Sequence, residues 1–567
     1  MRRTLVLALA ALALLGVVTP DAFAQAPTPT FKINGLIDQL GTYSSNTSNY
    51  DGTLNRTDKM FYGRTRGRFD FIGEYGKAKG VLGIEIDMAY GQTGSNDSTI
   101  VNAGGAAASA VTTNFGSDGG FDLNTDTRGI VEIKWLYTEF EVPLLPVPTV
   151  VRLGAQPFGS ASNYKLATYA NGDFAGVNIV STITPNVKIV WTYVQVEEGI
   201  TGCNLPNGNK CTGGAGSITG GIQNDALNNQ LRGGDFAVIA APEITPIKGL
   251  DIKPMISYFY AQGTTSGSAR QGRGGIGTTT AYTNADNSWK PGINENRYTV
   301  GVDGRWRSGP FSFDPTVMYQ FGNRRTVVPN NTQAPGLAVA SGLGAGTVQK
   351  ADLNAWLIDM RAGWQIGPLL IEGLGMFSTG NRAQNSTLKH VNYFQPLSTD
   401  TSYLADWGPQ LSSLGVDYLN ALNEAGLPIA YPGVSIGWDK YGRMQFGARA
   451  TYAWTPNLSM TGGVNVHLTH RAVDTDGVAT NFIPGATAGG GLLPAYTTGK
   501  AAGDTNYMGT ELNIGATWRF APGLVLDSAF GYFIMGDGMN ALTNPAYASS
   551  RDAKDAYILT SRVRFTF

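Results

Sequence analysis

Residues 555–567 read "DAYILTSRVRFTF". Taken two at a time, they fall into two sets. Tyr557, Leu559, Ser561, Val563, Phe565 and Phe567 make an apolar face, while Ala556, Ile558, Thr560, Arg562, Arg564 and Thr566 make a wetter one. A period of two belongs to a strand with one oily and one wet side. The oily set runs to the last residue, so the strand is expected to finish at a boundary.

The same alternation recurs upstream in segments of about ten residues, the spacing of transmembrane barrel strands. Residues 61–75 show it most sharply. Phe61, Gly63, Thr65, Gly67, Phe69 and Phe71 fall on one face, and Tyr62, Arg64, Arg66, Arg68, Asp70 and Glu74 on the other. Three alternating arginines cannot face lipid, where each would cost about 2–4 kcal/mol at the bilayer midplane. They are therefore assigned to an aqueous interior. After the turn "YGKAKG", Leu82, Ile84, Ile86, Met88 and Tyr90 point outward, with Glu85 and Asp87 inward. Next, Val131, Ile133, Trp135 and Tyr137 are read as outward, with Glu132 and Lys134 inward. Arg152, Arg305, Arg361, Arg443, Arg449 and Arg519 follow as inward cations, and Asp38, Asp303, Asp359 and Glu511 as inward acids.

The punctuation is asymmetric. Short turns fall near 184–186, 245–246, 308–310, 367–368, 455–457 and 521–523. Long Gly/Asn/Ser-rich loops fall near 91–127, 198–232, 263–295, 324–351, 380–440, 471–507 and 537–554. Short turns at one membrane face and long loops at the other are expected of outer-membrane barrels. Hairpin counting gives an all-β transmembrane antiparallel barrel of about eighteen strands, sixteen being the rival count. Aromatics form two rows on the outward faces: Trp306, Phe311, Trp364, Trp454, Trp518 and Phe520 near the turns, and Tyr90, Tyr260, Tyr319, Phe321 and Tyr532 towards the loops. Belts at both headgroup levels account for them.

Composition agrees. A 42% hydrophobic content is low for a chain crossing a membrane by helices, but a barrel strand shows lipid only alternate residues. Net charge is −1, with no basic tract for nucleic acid. Residues 1–24 read as a signal peptide: Arg2 and Arg3, an apolar core, then Ala22-Phe23-Ala24 for cleavage before Gln25. Residues 25–30 are a short linker and 31–567 the barrel. Cys203 and Cys211, close together in a Gly/Asn-rich loop of an exported chain, are expected to form a local disulfide.

Leader, repeating strands, loop asymmetry and terminal Phe567 together resemble the porins of Gram-negative outer membranes. The resemblance covers 31–567 and is architectural. It implies an outer-membrane location, recognition of Phe567 by the barrel-assembly machinery, a homotrimer in contact with outer-membrane lipid, and one loop folded inward to narrow the pore. By hairpin order that loop is 157–171, "PFGSASNYKLATYAN", with Asn163 and Lys165, and Asp173 just after it. It lacks the acidic character of common porin constrictions, so 91–127 and 381–440 remain alternatives.

The pore lining is thus assigned to Arg64, Arg66, Arg68, Glu85, Asp87, Glu132, Lys134, Arg152, Arg305, Arg361, Arg449 and Arg519. The expected function is passive diffusion of small hydrophilic solutes and ions with a mild anion preference, because inward arginines polarise the lumen. A substrate-specific channel for phosphate, sugar or another anion is the alternative; an outer-membrane enzyme or a structural surface protein are more distant rivals. No cofactor, metal or catalytic residue is assigned. Gly272–Gly277 matches G-x-G-x-x-G but opens no helix. Asp122, Asn124 and Asp126 lack the glycine and glutamate of a calcium loop. His467 and His470 point to opposite faces of a strand.

Overall fold

The computed structural model describes residues 28–46, 59–90, 129–158, 169–170, 173–197, 235–262, 292–327, 348–382, 390–395, 397, 441–473, 503–538 and 554–567. The leader, Cys203 and Cys211, Asn163 and Lys165, the loop 91–127 and the two set-aside loop motifs lie outside them.

Alternating apolar and polar side chains give long strands: β1 (Thr30–Ser45), β2 (Lys59–Tyr75), β3 (Ala78–Tyr90), β4 (Gly129–Glu141), β5 (Thr149–Pro157), β6 (Asp173–Thr184), β7 (Val187–Glu197), β8 (Asp235–Ala240), β9 (Glu243–Ile247) and β10 (Leu250–Gln262). They continue as β11 (Gly292–Ser308), β12 (Phe311–Val327), β13 (Val348–Ile366), β14 (Leu369–Ser378), β15 (His390–Val391), β16 (Met444–Thr455), β17 (Leu458–Val473), β18 (Thr505–Ala521), β19 (Leu524–Met535) and β20 (Ala556–Thr566). Neighbours in sequence pair antiparallel, and β1 pairs with β20, from Leu36↔Thr566 to Ser45↔Tyr557. Closure leaves the wall without a free edge.

Twenty segments make eighteen staves. β8 and β9 both pair with β7 and with β10, so together they form one stave. Pro242 sits in the break between them, where it has no N–H for the ladder. The sequence reading set the following turn at Thr245-Pro246. The chain instead remains in β9 there and turns at Lys248-Gly249. Gly249 has φ 87°, a left-handed conformation in which a side chain is strained. β15 is the other departure. It pairs parallel to β13 (Asp352↔His390, Leu353↔Val391), beyond the end of β14, and leads the chain off the wall.

Large apolar side chains populate the exterior: Phe31 and Ile33 on β1, Val131 and Ile133 on β4, Trp356 and Trp364 on β13, Ile514 and Trp518 on β18. Their rings join across strands. Tyr258–Tyr298 (4.9 Å), Tyr298–Phe321 (5.3 Å) and Tyr319–Trp356 (4.5 Å) make one row towards the loops. Phe311–Trp364 (5.9 Å), Trp518–Phe520 (5.4 Å) and Phe69–Phe567 (6.2 Å) lie at the turn end. Phe567 also extends the seam, exchanging backbone hydrogen bonds with Gly35.

One orientation differs from the sequence reading. The β3–β4 register slips between Gly83 and Ile84, so that Ile84 faces Ile133 while Gly83 faces Trp135. The extra residue, Lys134, makes a bulge that reverses the faces beyond it. Leu136 becomes the exposed apolar residue. Trp135 and Tyr137 turn inward: Trp135 Nε1 donates to Asp70 Oδ1 (2.9 Å), and the Arg152 guanidinium lies 4.7 Å from the Tyr137 ring centre.

Candidate functional site: the inner wall and its constriction

Strand register brings Arg66, Arg68, Glu85, Asp87 and Lys134 of the predicted lining into one network. Asp38 of β1 stands between Arg66 of β2 and Arg564 of β20. It accepts from Arg564 (2.9 Å), with Arg562 at 3.7 Å, and Arg562 also reaches Asp527 (3.0 Å). Arg66 is bidentate on Asp87 (2.6 and 2.9 Å) and lies 3.5 Å from Glu85, which also pairs with Arg68. Lys134 bridges Glu85 (3.5 Å) and Asp173 (2.9 Å). Charges of alternating sign therefore cross the inner wall from β19 through the seam to β6.

Further pairs continue around the barrel. Arg152 and Lys79 share Glu139 (2.6 and 2.7 Å), Arg361 meets Asp359 (2.9 Å), and Arg449 meets Glu372 (3.0 Å). Arg305 lies opposite Asp251, and Glu132 opposite Glu85. Arg519 is exposed at the turn end of β18. Of the three arginines of β2, Arg66 pairs with Asp87 and Arg68 with Glu85. Arg64 is buried beside them, 5% exposed.

A second cluster lies inside the wall. After β15 the chain runs inward, and Phe394 and Gln395 are 0% and 1% exposed. Phe394 packs edge-on against Tyr169 (6.4 Å), and Leu397 N–H donates to Tyr169 O (2.7 Å). Tyr169 belongs to the loop expected to form the constriction, and the Phe394 segment to one of its alternatives. Their seat is apolar. Phe174, Ile239, Met255, Phe259, Met318, Leu357 and Met376, from β6 to β14, cluster with them inside the wall. Asp173 opens β6 and pairs with Lys134.

Polar groups fix this segment at one point. Gln320 and Gln395 exchange hydrogen bonds: Gln395 N–H to Gln320 Oε1 (2.9 Å) and Gln320 Nε2 to Gln395 O (2.6 Å). Two guanidiniums, Arg297 (2.9 Å) and Arg324 (3.0 Å), converge on Gln395 Oε1. Glu295 pairs with Arg324 at 2.8 Å and lies 3.6 Å from Arg297, which stacks over Phe259 (4.4 Å). None of these residues was singled out from the sequence. Glu295 and Arg297 do continue the inward alternation of β11, and that was the available signal.

Among the described residues no group of three or more His, Cys, Asp or Glu is placed to hold a metal ion. His467 faces inward and is fully buried. His470 faces away from it, its ring 5.0 Å from Phe377 and its Nδ1 accepting from Gly380 N–H (2.9 Å). The two do not converge.

No family model matches the chain, and no curated protein sequence matches it. Solved outer-membrane proteins do. Pseudomonas aeruginosa OccK8 (OprE) is 11% identical, with TM-score 0.44, covering 95% of this chain and 98% of that one. Pseudomonas aeruginosa OprD is 7% identical, TM-score 0.44, covering 97% of each. Acinetobacter baumannii OccAB1 is 9% identical, TM-score 0.43, covering 94% and 97%. What defines the architecture is internal to the chain: eighteen staves closed by β1–β20 pairing, an aromatic exterior and an ion-paired interior. It is the architecture of a closed antiparallel barrel whose apolar outer face and charged inner face suit a membrane-spanning wall.

Proposed function

We propose that this barrel is an outer-membrane channel passing small hydrophilic solutes and ions by diffusion, with a mild preference for anions. The observation carrying the preference is the charge at the constriction. Among the described residues, Arg297 and Arg324 converge there beside one carboxylate, Glu295, whereas the ladder elsewhere is largely matched acid to base. Fixed charge beside a narrow, low-dielectric passage biases which ions enter without binding them tightly.

The reading extends to features resting on sequence and resemblance: a cleaved leader at 1–24, a Cys203–Cys211 disulfide, recognition of Phe567 by the assembly machinery, and a homotrimer.

The test is the zero-current potential across a planar bilayer under a salt gradient. Chloride should pass more readily than potassium. Exchanging both Arg297→Gln and Arg324→Gln should move the potential towards cation preference, whereas Arg297→Lys should retain it. A cation-selective wild type would overturn the anion preference; a barrel passing no current would overturn the channel.

A further inference from the structure

One inward patch is not absorbed by the ion-paired wall. On β16, β17 and β18, Gln445, Asn465 and His467 are 0% exposed and Asn513 is 8% exposed. Gln445 faces His467 across one strand pair, and Asn465 faces Glu511 across the next. Gln445 Nε2 donates to Asn465 Oδ1 (2.8 Å). The other polar ends have no hydrogen-bond partner: Gln445 Oε1, Asn465 Nδ2, Asn513 Nδ2 and both His467 ring nitrogens. Buried polar groups are nearly always satisfied, so a concentration of orphans in one place marks where another molecule supplies the partners.

Their chemistry narrows that molecule. Two amide nitrogens offer donors and one amide oxygen an acceptor; a neutral imidazole offers one of each. Arg443 and Glu511 add one charge of either sign on the same inward faces, so no net charge is selected. Glu511 Oε2 lies 3.7 Å from His467 Nε2, and the Phe533 ring 5.5 Å from the imidazole, which gives the patch an apolar side. Inward positions beside the amides are glycines, Gly447 opposite Asn465 and Gly463 opposite Asn513, and the Asn513 amide and Arg449 side chain close over Gly463. A hydroxyl group both donates and accepts, so adjacent hydroxyls on a carbon ring complement this mixture. A carboxylate would confront Gln445 Oε1 and Glu511, and an ammonium the two amide nitrogens.

We propose that Gln445, Asn465, His467 and Asn513 form a subsite for an uncharged polyhydroxylated solute of the sugar class. The subsite rests on the channel reading and gives that channel a substrate preference distinct from its ion preference.

Sucrose is the probe. The full-length protein is incorporated into planar bilayers, and single-channel current in potassium chloride is recorded as sucrose is added. Calorimetry on the detergent-solubilised protein follows binding independently of current. A reversible, saturable reduction of current is expected. Exchanging Asn465→Leu together with Asn513→Leu should raise the half-saturating concentration at least tenfold and leave the salt conductance unchanged. Gln445→Met, closer in shape, serves as a second variant if the first does not fold. Normal salt conductance with no saturation and no heat would overturn the subsite. Block of equal strength in the folded variants would also overturn it. Absence of current with sucrose binding intact would overturn the channel while upholding the subsite.

Discussion

Replacing Phe394 by alanine is expected to raise the unitary conductance severalfold. Phe394 is fully buried and anchors the inward segment against Tyr169 and the apolar lining of β6–β14. Truncating a buried phenylalanine costs about 3–5 kcal/mol. Other fastenings are the hydrogen bonds around Gln395, each contributing about 1 kcal/mol net and somewhat more where a guanidinium donates, the burial of Leu397 and the β13–β15 pairing. Loss of the ring removes one large contribution to what holds the segment inside, and the passage is expected to widen. Phe446→Ala supplies the control, since Phe446 is 57% exposed on the outer surface and touches no part of the constriction. An unchanged current in Phe394→Ala would mean that the segment does not limit flow.

The second large effect is expected at the seam. Asp38 is 1% exposed and holds Arg564, whereas Arg562 keeps Asp527 when Asp38 is lost. Asp38→Asn removes the counter-charge of Arg564 at the junction of the first and last strands. Breaking a fully buried pair costs about 3–5 kcal/mol. Here about 2 kcal/mol is expected, because the Arg564 side chain stays 34% open to water, which screens it. Heat-modified migration in detergent gels should show the variant barrel unfolding at lower temperature than wild type. Asp527→Asn, which leaves Arg562 its longer contact with Asp38, should shift it less. Equal unfolding temperatures for wild type and Asp38→Asn would remove the seam network from the account.

The strands whose two faces differ most were legible in the sequence. Residues 555–567 and 61–75 show oily and charged faces by simple alternation, and β20 and β2 follow them closely. The count of eighteen staves was legible too, because turn chemistry recurs at each hairpin. The bulge at Lys134 was not. A single extra residue leaves the local pattern "VEIKWLY" looking regular, and only pairing with Gly83 reveals the reversal at Trp135. β11 was begun too late because its first inward residue, Glu295, read as loop polarity rather than as part of a wall. Gln395 lies in a long loop whose docking depends on Gln320, 75 residues away, and no local periodicity encodes that contact.

Adjacent residues on opposite faces provide the most direct test of a water-filled tube surrounded by lipid. Ala450 is exposed on the outer face of β16, opposite Ile371; Thr451 points inward, its hydroxyl 2.9 Å from that of Thr461. Single cysteines are introduced as Ala450→Cys and Thr451→Cys with Cys203→Ser and Cys211→Ser, and the protein is reconstituted in vesicles. A charged, water-soluble thiol reagent should modify the site at 451 and spare that at 450, and a probe attached at 450 should be quenched by lipid-phase quenchers. Equal reaction of both sites with the aqueous reagent, or quenching of both from the lipid, would contradict the account.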